Sequence, residues 1–280
     1  MKTLVIGGTG FIGKNIMRQL DPKDTSYFSR KQDKELSAAG YMWIEGSITE
    51  SEQIGKAVAD YDVIIHSAGI FEEKEQKFAD VNLAGIKNIV GPIKSADRNQ
   101  RLIYISCINV DFAPMEFFHS RRLTEGNVST IKNSLIVRTS VIFGEGDRIT
   151  PLVKQITSPN FSKFPEIGNM APVHVDDLVR VVLSNSETRG SIFVASRETM
   201  SLKKAANILR ERAGLKPLGY VKPKERKVDK FYAKLESRGI ISKEILSIYS
   251  LNYYRENTVL YRYVNKPRSY EDYLNQVPLK

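Results

Sequence analysis

The chain has little cysteine, no long apolar run and no internal repeat, and each shortage removes a class of protein. One cysteine, Cys107, has no partner for an internal disulfide, which suits a reducing compartment. Apolar runs such as Leu4 to Ile6 and Val63 to Ile65 are strand-length, whereas a membrane span needs about 20 apolar residues in a row. No transmembrane helix is expected. Met1-Lys2 leads straight into a strand-like run, with no apolar segment or cleavage site ahead of it, so the expected location is cytoplasmic. Low-complexity tracts are absent as well. No zinc-type or aromatic-interleaved basic motif accompanies the charge, so nucleic acid is a disfavoured partner and no metal site is expected.

What is present is an ordinary globular content, 41% hydrophobic over 280 residues, enough for one large α/β domain and a smaller appendage. Lys and Arg number 42 against 32 Asp and Glu, and the net +10 attracts anions in general. Part of it is local: Lys203, Lys204, Arg210, Arg212, Lys216, Lys222, Lys224, Arg226, Lys227 and Lys230 are offset only by Glu211, Glu225 and Asp229. This stretch reads as solvated surface.

Between Thr3 and about Arg138, short β-branched runs alternate with helical stretches. The runs are Thr3–Ile6, Thr25–Phe28, Tyr41–Ile44, Asp62–His66, Arg101–Ser106 and Ser134–Arg138. Such alternation predicts a doubly wound parallel sheet, with ligands bound beyond the carboxyl ends of the strands. Helices are expected over Phe11–Leu20, from a Thr49/Glu52 capping box to about Ala59, and over Phe78–Ala96. After Gly144 the alternation weakens: Asp147–Thr157, Asp176–Leu183 and Ser201–Ala213 read as helices, and Pro172–Val175 as a short extended piece. The expected domains are 1–147, with late strands interleaved around 172–196, and a smaller mixed substrate-side region, 148–280. A charged tail bearing Tyr253, Tyr254, Tyr261 and Tyr263 has no assigned fold.

Gly7, Gly10 and Gly13 follow a strand and open a helix. In that context Gly7 permits a tight turn, Gly10 lets the backbone approach a pyrophosphate, and Gly13 lets the helix pack closely. This is the phosphate loop of a Rossmann-type fold. At the end of the second strand an NAD-selective site offers a carboxylate to the ribose, but here stand Phe28-Ser29-Arg30-Lys31, with the nearest acid, Asp33, only after the cations. Arg30 and Ser29 suit a 2′-phosphate, so NADP(H) is the preferred cofactor, with NAD(H) the alternative.

With these residues stand further blocks: Gly46-Ser47-Ile48, His66-Ser67-Ala68-Gly69, Val81 to Asn88, Arg138 to Gly144 and Val173 to Asp177. Together they resemble the extended and atypical short-chain dehydrogenase/reductase superfamily over roughly residues 1–200. Its members include NAD-dependent epimerase/dehydratases, NmrA-like proteins and the 39 kDa subunit of respiratory complex I. The resemblance implies cofactor contacts from Gly7, Thr9, Gly10, Phe11, Ile12, Gly13, Ser29, Arg30, Ser47, Ile48, Ser67, Ala68, Gly69, Asn82 and Arg121.

Some positions depart from the family pattern. Ser47 stands where the family has an adenine-contacting aspartate. The YxxxK motif aligns with Phe117-Phe118-His119-Ser120-Arg121, placed by Ser120 and by Glu125 downstream. A phenol of pKa about 10, lowered by a neighbouring cation, exchanges the substrate proton in that family, and Phe117 has no such proton. No tyrosine occurs between Tyr104 and Tyr220. The substrate-orienting serine aligns with Cys107, or with Ser106 after a one-residue shift. Arg121 keeps a cation for the ribose hydroxyls, and His119 is the substitute acid to consider, although two residues past Phe117 it points to another helix face. Asp111 reads first as a turn cap, His174 and Asp176 as a strand-to-helix junction with Asp176 as cap, and Cys107 as a small packed residue rather than a nucleophile.

Two functions compete. One is an NADP(H)-dependent oxidoreductase or epimerase/dehydratase-like enzyme with an altered proton donor; the other is a catalytically silent dinucleotide-binding sensor or accessory subunit. The expected partners are the dinucleotide and an unidentified small molecule, with a homodimer left open.

Overall fold

The alternation read from the sequence becomes a regular chain of elements. In order these are β1 (Thr3–Ile6), α1 (Phe11–Met17), β2 (Thr25–Ser29), α2 (Lys34–Ala38), β3 (Met42–Glu45), α3 (Ser51–Ala59), β4 (Val63–His66), a π-helical stretch (Ala79–Ala84), α4 (Gly85–Ser95), β5 (Arg101–Cys107), α5 (Glu116–Val128) and β6 (Ser134–Thr139). There follow β7 (Ile142–Phe143), α6 (Ile149–Thr157), β8 (Lys163–Pro165), β9 (Val173–His174), α7 (Val175–Ser184), β10 (Gly190–Val194), α8 (Leu202–Arg212), β11 (Gly219–Val221), α9 (Glu225–Ser237), α10 (Lys243–Tyr249), α11 (Leu260–Tyr263) and α12 (Tyr270–Gln276). This computed structural model describes residues 1–280 except Asp97, Ala113, Ser186, Lys222, Pro223, Lys224 and Lys280, and except the side chains of Glu225 and Arg226. Lys222, Lys224 and the Arg226 side chain, part of the basic stretch, therefore lie outside the described residues.

The main sheet has seven strands in the order β10-β6-β5-β4-β1-β2-β3. Its central pairs are parallel, with Thr3 opposite both Thr25 and Val63, Ser26 opposite Met42, and Val63 opposite Arg101. Parallel strands need helical crossovers on both faces, so they are buried on both sides and read as unbroken apolar runs. Leu4, Ile6, Ile64 and Leu102 are accordingly buried against Ile54, Ile86 and Ile89 of the helices. Each such side chain contributes about 1.5–3 kcal/mol relative to exposure. This is the doubly wound fold predicted from the alternation.

By its internal packing the chain forms two units, Met1–Arg138 with Val179–Phe193, and Thr139–Leu178 with Val194–Lys280. The second unit holds the short parallel pairs β7/β9 and β8/β11, and packs α8 against α6 and α12. Its tail is ordered by contacts distant in sequence. Ser140 donates its hydroxyl to the Tyr253 carbonyl at 2.9 Å, and Tyr270 and Tyr273 set their rings 4.8 and 5.3 Å from Phe143. Ser269 accepts from the Asp272 N–H and caps α12. Among the described residues no helix is long and apolar enough to cross a membrane.

Two local expectations are corrected. The Thr49/Glu52 capping box does not form, because the Thr49 hydroxyl pairs with Ser47 at 2.8 Å, Glu52 pairs with Lys56 at 2.7 Å, and Glu50 occupies the N-cap of α3 without a side-chain bond. Asp176 is not a cap: its carboxylate pairs with Arg268, while its N–H donates to His174 Nδ1 at 3.2 Å and α7 starts at Val175. Asp111, expected at a turn, gives its carboxylate to Arg138 at 2.7 Å.

Candidate functional site

Beyond the carboxyl ends of β1 to β4 lies a groove of about 250 Å³. Its floor is the glycine turn between β1 and α1, and the three glycines there differ in what they do. Gly7 sits at φ +84°, and a Cβ on it would stand 2.7 Å from the Ala68 nitrogen. On Gly13 a Cβ would lie 2.1 Å from the Gly7 carbonyl oxygen. Both are therefore required by the protein's own packing. Gly10 is less constrained: its Cβ would meet only the Gly7 oxygen, at a close 3.3 Å, and Gly10 lines the groove. Its missing side chain keeps groove space clear. As N-cap of α1 it brings no side-chain bond, and the first turn holds no acid.

Of the residues expected around a cofactor, Gly7, Thr9, Gly10, Ser29, Arg30, Ser47, Ile48, Ser67, Ala68 and Gly69 line this groove. Phe11, Ile12, Gly13, Asn82 and Arg121 are not part of that lining. Ile6, Phe28, Gly46, Thr49, Ile70, Gln76 and Val81 complete it. Ile6 and Phe28 were inferable as the last residues of their strands, and Gly46 as part of a family block; Gln76 carries no motif and only the fold brings it in.

Polar groups at the β2 end are divided between structure and solvent. Trp43 Nε1 donates to the carbonyl and hydroxyl oxygens of Ser29, both at 3.1 Å, and the Ser29 hydroxyl donates to the Lys31 carbonyl at 2.7 Å. Asp33 caps α2 by accepting from the Glu35 and Leu36 N–H groups, and Lys14 pairs with it at 2.9 Å. Burial works against its charge, but Lys14 and those N–H groups together hold its pKa below the usual carboxylate value. The Asp33 carboxylate is thus committed to the scaffold. Arg30 is exposed, and its Nη1 donates across to Gln76 Oε1 at 3.4 Å.

A second locus surrounds the position of the expected tyrosine. Phe117 is 3% exposed, ringed by Phe71 at 4.7 Å, Phe118 at 5.0 Å and Phe78 at 6.2 Å between centroids. The Arg121 guanidinium lies 5.0 Å above it and donates to the Tyr104 hydroxyl at 3.2 Å and the Ile105 carbonyl at 3.3 Å. Burial opposes the Arg121 charge, yet Tyr104, Cys107 and Glu125 more than offset it and its pKa is raised. Arg121 Nη2 stands 3.2 Å from where a Gly69 Cβ would be, as does Asn82 Oδ1. Asn82 Nδ2 donates to the Ser120 hydroxyl at 3.0 Å. The fold therefore gathers Arg121, Asn82 and Gly69.

Other candidates are held apart or held inert. His119 is exposed and lines a separate surface hollow with Asp111, Glu116 and Arg122, a hollow that neither Phe117 nor Arg121 borders. Ser106 is buried and donates to Glu125 at 2.5 Å, and Glu125 in turn pairs with Arg138 at 2.6 Å. Its hydroxyl is spent. Cys107 has its thiol pushed up to about 12 by burial, which leaves it protonated. His66, stacked 5.4 Å from Tyr104, is lowered to about 3 by burial and then by the Arg121 charge, so its imidazole is neutral. The Tyr104 phenol, also buried, is shifted upward.

Residues 4–130 match the 3-beta hydroxysteroid dehydrogenase/isomerase family. A triphenylmethane reductase from Citrobacter sp., solved in complex with NADP(H), superimposes with a TM-score of 0.76 over 99% of both chains, at 15% identity. Among curated relatives, the 2-alkyl-3-oxoalkanoate reductase of Shewanella oneidensis is 22% identical over 76% of this chain and 66% of its own length. The mitochondrial NADH dehydrogenase [ubiquinone] 1 alpha subcomplex subunit 9 of Dictyostelium discoideum is 24% identical over 67% of this chain and 56% of its own. The chain thus spans two thirds or less of these relatives.

Proposed function

We propose that the groove beyond β1 to β4 binds a nicotinamide dinucleotide, and that the chain is an NAD(P)-dependent oxidoreductase or epimerase/dehydratase-like enzyme. The observation that carries the binding reading is Gly10, which lines the groove and where the protein's own packing asks less for glycine than at Gly7 or Gly13. Gly7, Thr9 and Gly10 would hold the pyrophosphate, Ser47 and Ile48 the adenine, and Arg121 and Asn82 the far ribose. A bound nicotinamide supplies or accepts hydride. NADP(H) is the preferred form because Arg30 is the exposed group at the β2 end, while Asp33 is tied to Lys14 and α2. In this reading Phe117 and Arg121 replace the usual tyrosine and lysine, and the proton comes from substrate or water.

A second reading is favoured by one specific observation, the burial of Phe117 under Arg121 among three other phenylalanines. No exchangeable proton stands there, which suits a dinucleotide-binding sensor or accessory subunit. Calorimetry with NADPH and NADH tests the shared part, and absence of binding to either overturns both readings. Stopped-flow oxidation of bound NADPH against ketones, quinones and nucleotide sugars then separates them. Turnover supports the enzyme. Persistent binding without turnover, at a rate lower by the roughly 10²–10⁴ that a positioned acid supplies, supports the silent binder.

A further inference from the structure

We propose that residues 71–78 form a strap over the groove, anchored on Phe117, and that the strap delivers Gln76 as a second reader of the ribose 2′ substituent beside Arg30. The proposal rests on the dinucleotide reading above. Phe71 and Phe78 begin and end this segment, and both rings pack on the one buried ring of Phe117, at 4.7 and 6.2 Å. The ends of the loop are thereby held together. Inside it, Glu73 accepts from the Phe78 N–H at 2.7 Å and pairs with Lys77 at 3.4 Å, which closes the turn on itself. The loop is short and fastened, so its projecting residue has a defined place. That residue is Gln76, which lines the groove and accepts from Arg30 Nη1 at 3.4 Å, joining the segment after β4 to the end of β2.

The chemistry of the pair selects the ligand class. With Oε1 occupied by Arg30, the Gln76 amide keeps its two N–H donors, and a guanidinium beside an amide NH₂ is a donor-only surface. Such a surface suits a phosphate ester, all of whose free oxygens accept, better than a ribose hydroxyl. The anchor also accounts for the residue at 117. A phenol in that apolar ring cluster would bury a hydroxyl that wants a partner, whereas phenylalanine needs none.

Stopped-flow displacement of NADPH and NADH from the full chain, with hydrogen exchange over residues 71–78, tests this. Gln76→Ala removes one net hydrogen bond, and we expect NADPH to leave about tenfold faster while NADH changes less than about twofold. Gln76→Glu places a negative charge against the 2′-phosphate and is expected to weaken NADPH more than the alanine variant does. Phe117→Leu keeps apolar volume but shortens the anchor, and is expected to raise both NADPH release and exchange in 71–78. NADPH added to the parent protein should slow that exchange. If the parent binds NADPH but Gln76→Ala releases both cofactors at unchanged rates and 71–78 gains no protection, the strap is overturned and the groove assignment stands. If the parent binds neither dinucleotide, the groove assignment falls and the strap with it. Gln76 is half-buried on a loop, so its variants keep the test open even where Phe117→Leu fails to fold.

Discussion

In the proposed reading, cofactor choice turns on Arg30. From its exposed position a bond to a 2′-phosphate would be charge-assisted and contribute about 1.5–3 kcal/mol, a term NADH could not gain. Arg30→Ala should therefore lower NADPH affinity by roughly tenfold or more and leave NADH nearly unchanged, and equal losses in calorimetry would rule Arg30 out as the reader. His66 makes a second residue-scale prediction. Its folded pKa of about 3 lies below its ordinary value, so the unfolded chain takes up the proton first as pH falls. The contribution of neutral His66 is full above about pH 6.5 and is lost as pH falls from there toward 3, with a slope of up to about 1.4 kcal/mol per pH unit. His66→Phe should flatten the denaturant-midpoint profile between pH 4 and 6; an unchanged profile would place the acid sensitivity elsewhere. At this scale the groove lining was legible where it falls on near-consecutive residues, as in Gly7, Thr9 and Gly10 and in Ser29-Arg30. The sequence was silent where side chains from different elements meet: nothing in the chain order announces that Tyr104 receives Arg121, or that Gln76 meets Arg30 from 46 positions away.

Among the elements, α3 shows how a local competitor defeats a sound pattern. Thr49 and Glu52 have capping-box spacing, yet Ser47 stands two residues before Thr49 and captures its hydroxyl, which moves the helix start to Ser51. The uncapped N-terminus can be improved. Glu50→Asp puts a short carboxylate where an N-cap bonds the N2 or N3 N–H, and should stabilise the protein by about 0.5–1 kcal/mol in a thermal melt. No gain would mean that another group satisfies those donors. The converse case is α2, a five-residue helix between β2 and β3 that no apolar period announced and that Asp33 nucleates as cap. Its length is too short for a periodic signal, while the crossover over 78–96 was read correctly in extent but not in its π-helical first turn, where Ile48 packs against Gly85.

For the whole molecule, legibility follows contact range. The parallel sheet repeats one unit, so strand order follows from alternation and handedness. The second unit instead rests on single pairings across more than a hundred residues, such as Ser140 with Tyr253 and Thr150 with Tyr270, and no period encodes them. The segment from Arg268 to Leu274 is one of its structural parts: Arg268 donates its N–H to Asp177 at 2.8 Å and its guanidinium to His174 and Asp176. Ending the chain at residue 266 removes these bonds together with Tyr270 and Leu274, both buried. Limited proteolysis should then cut within 194–266 while the first unit resists. An intact second unit in the truncated chain would show that the tail is dispensable.

Trp43, whose indole N–H is held by Ser29 at the rim of the groove, is the single tryptophan of the chain. Reduced nicotinamide absorbs light where tryptophan emits, so a bound NADPH drains the excited indole by energy transfer. The protein would therefore carry its own optical reporter, tied through Ser29 to the groove lining. Quenching of Trp43 emission on titration with NADPH, with sensitised nicotinamide emission rising in step, reads occupancy without any label, and Trp43→Phe should abolish the signal while leaving the titrated affinity measurable by calorimetry.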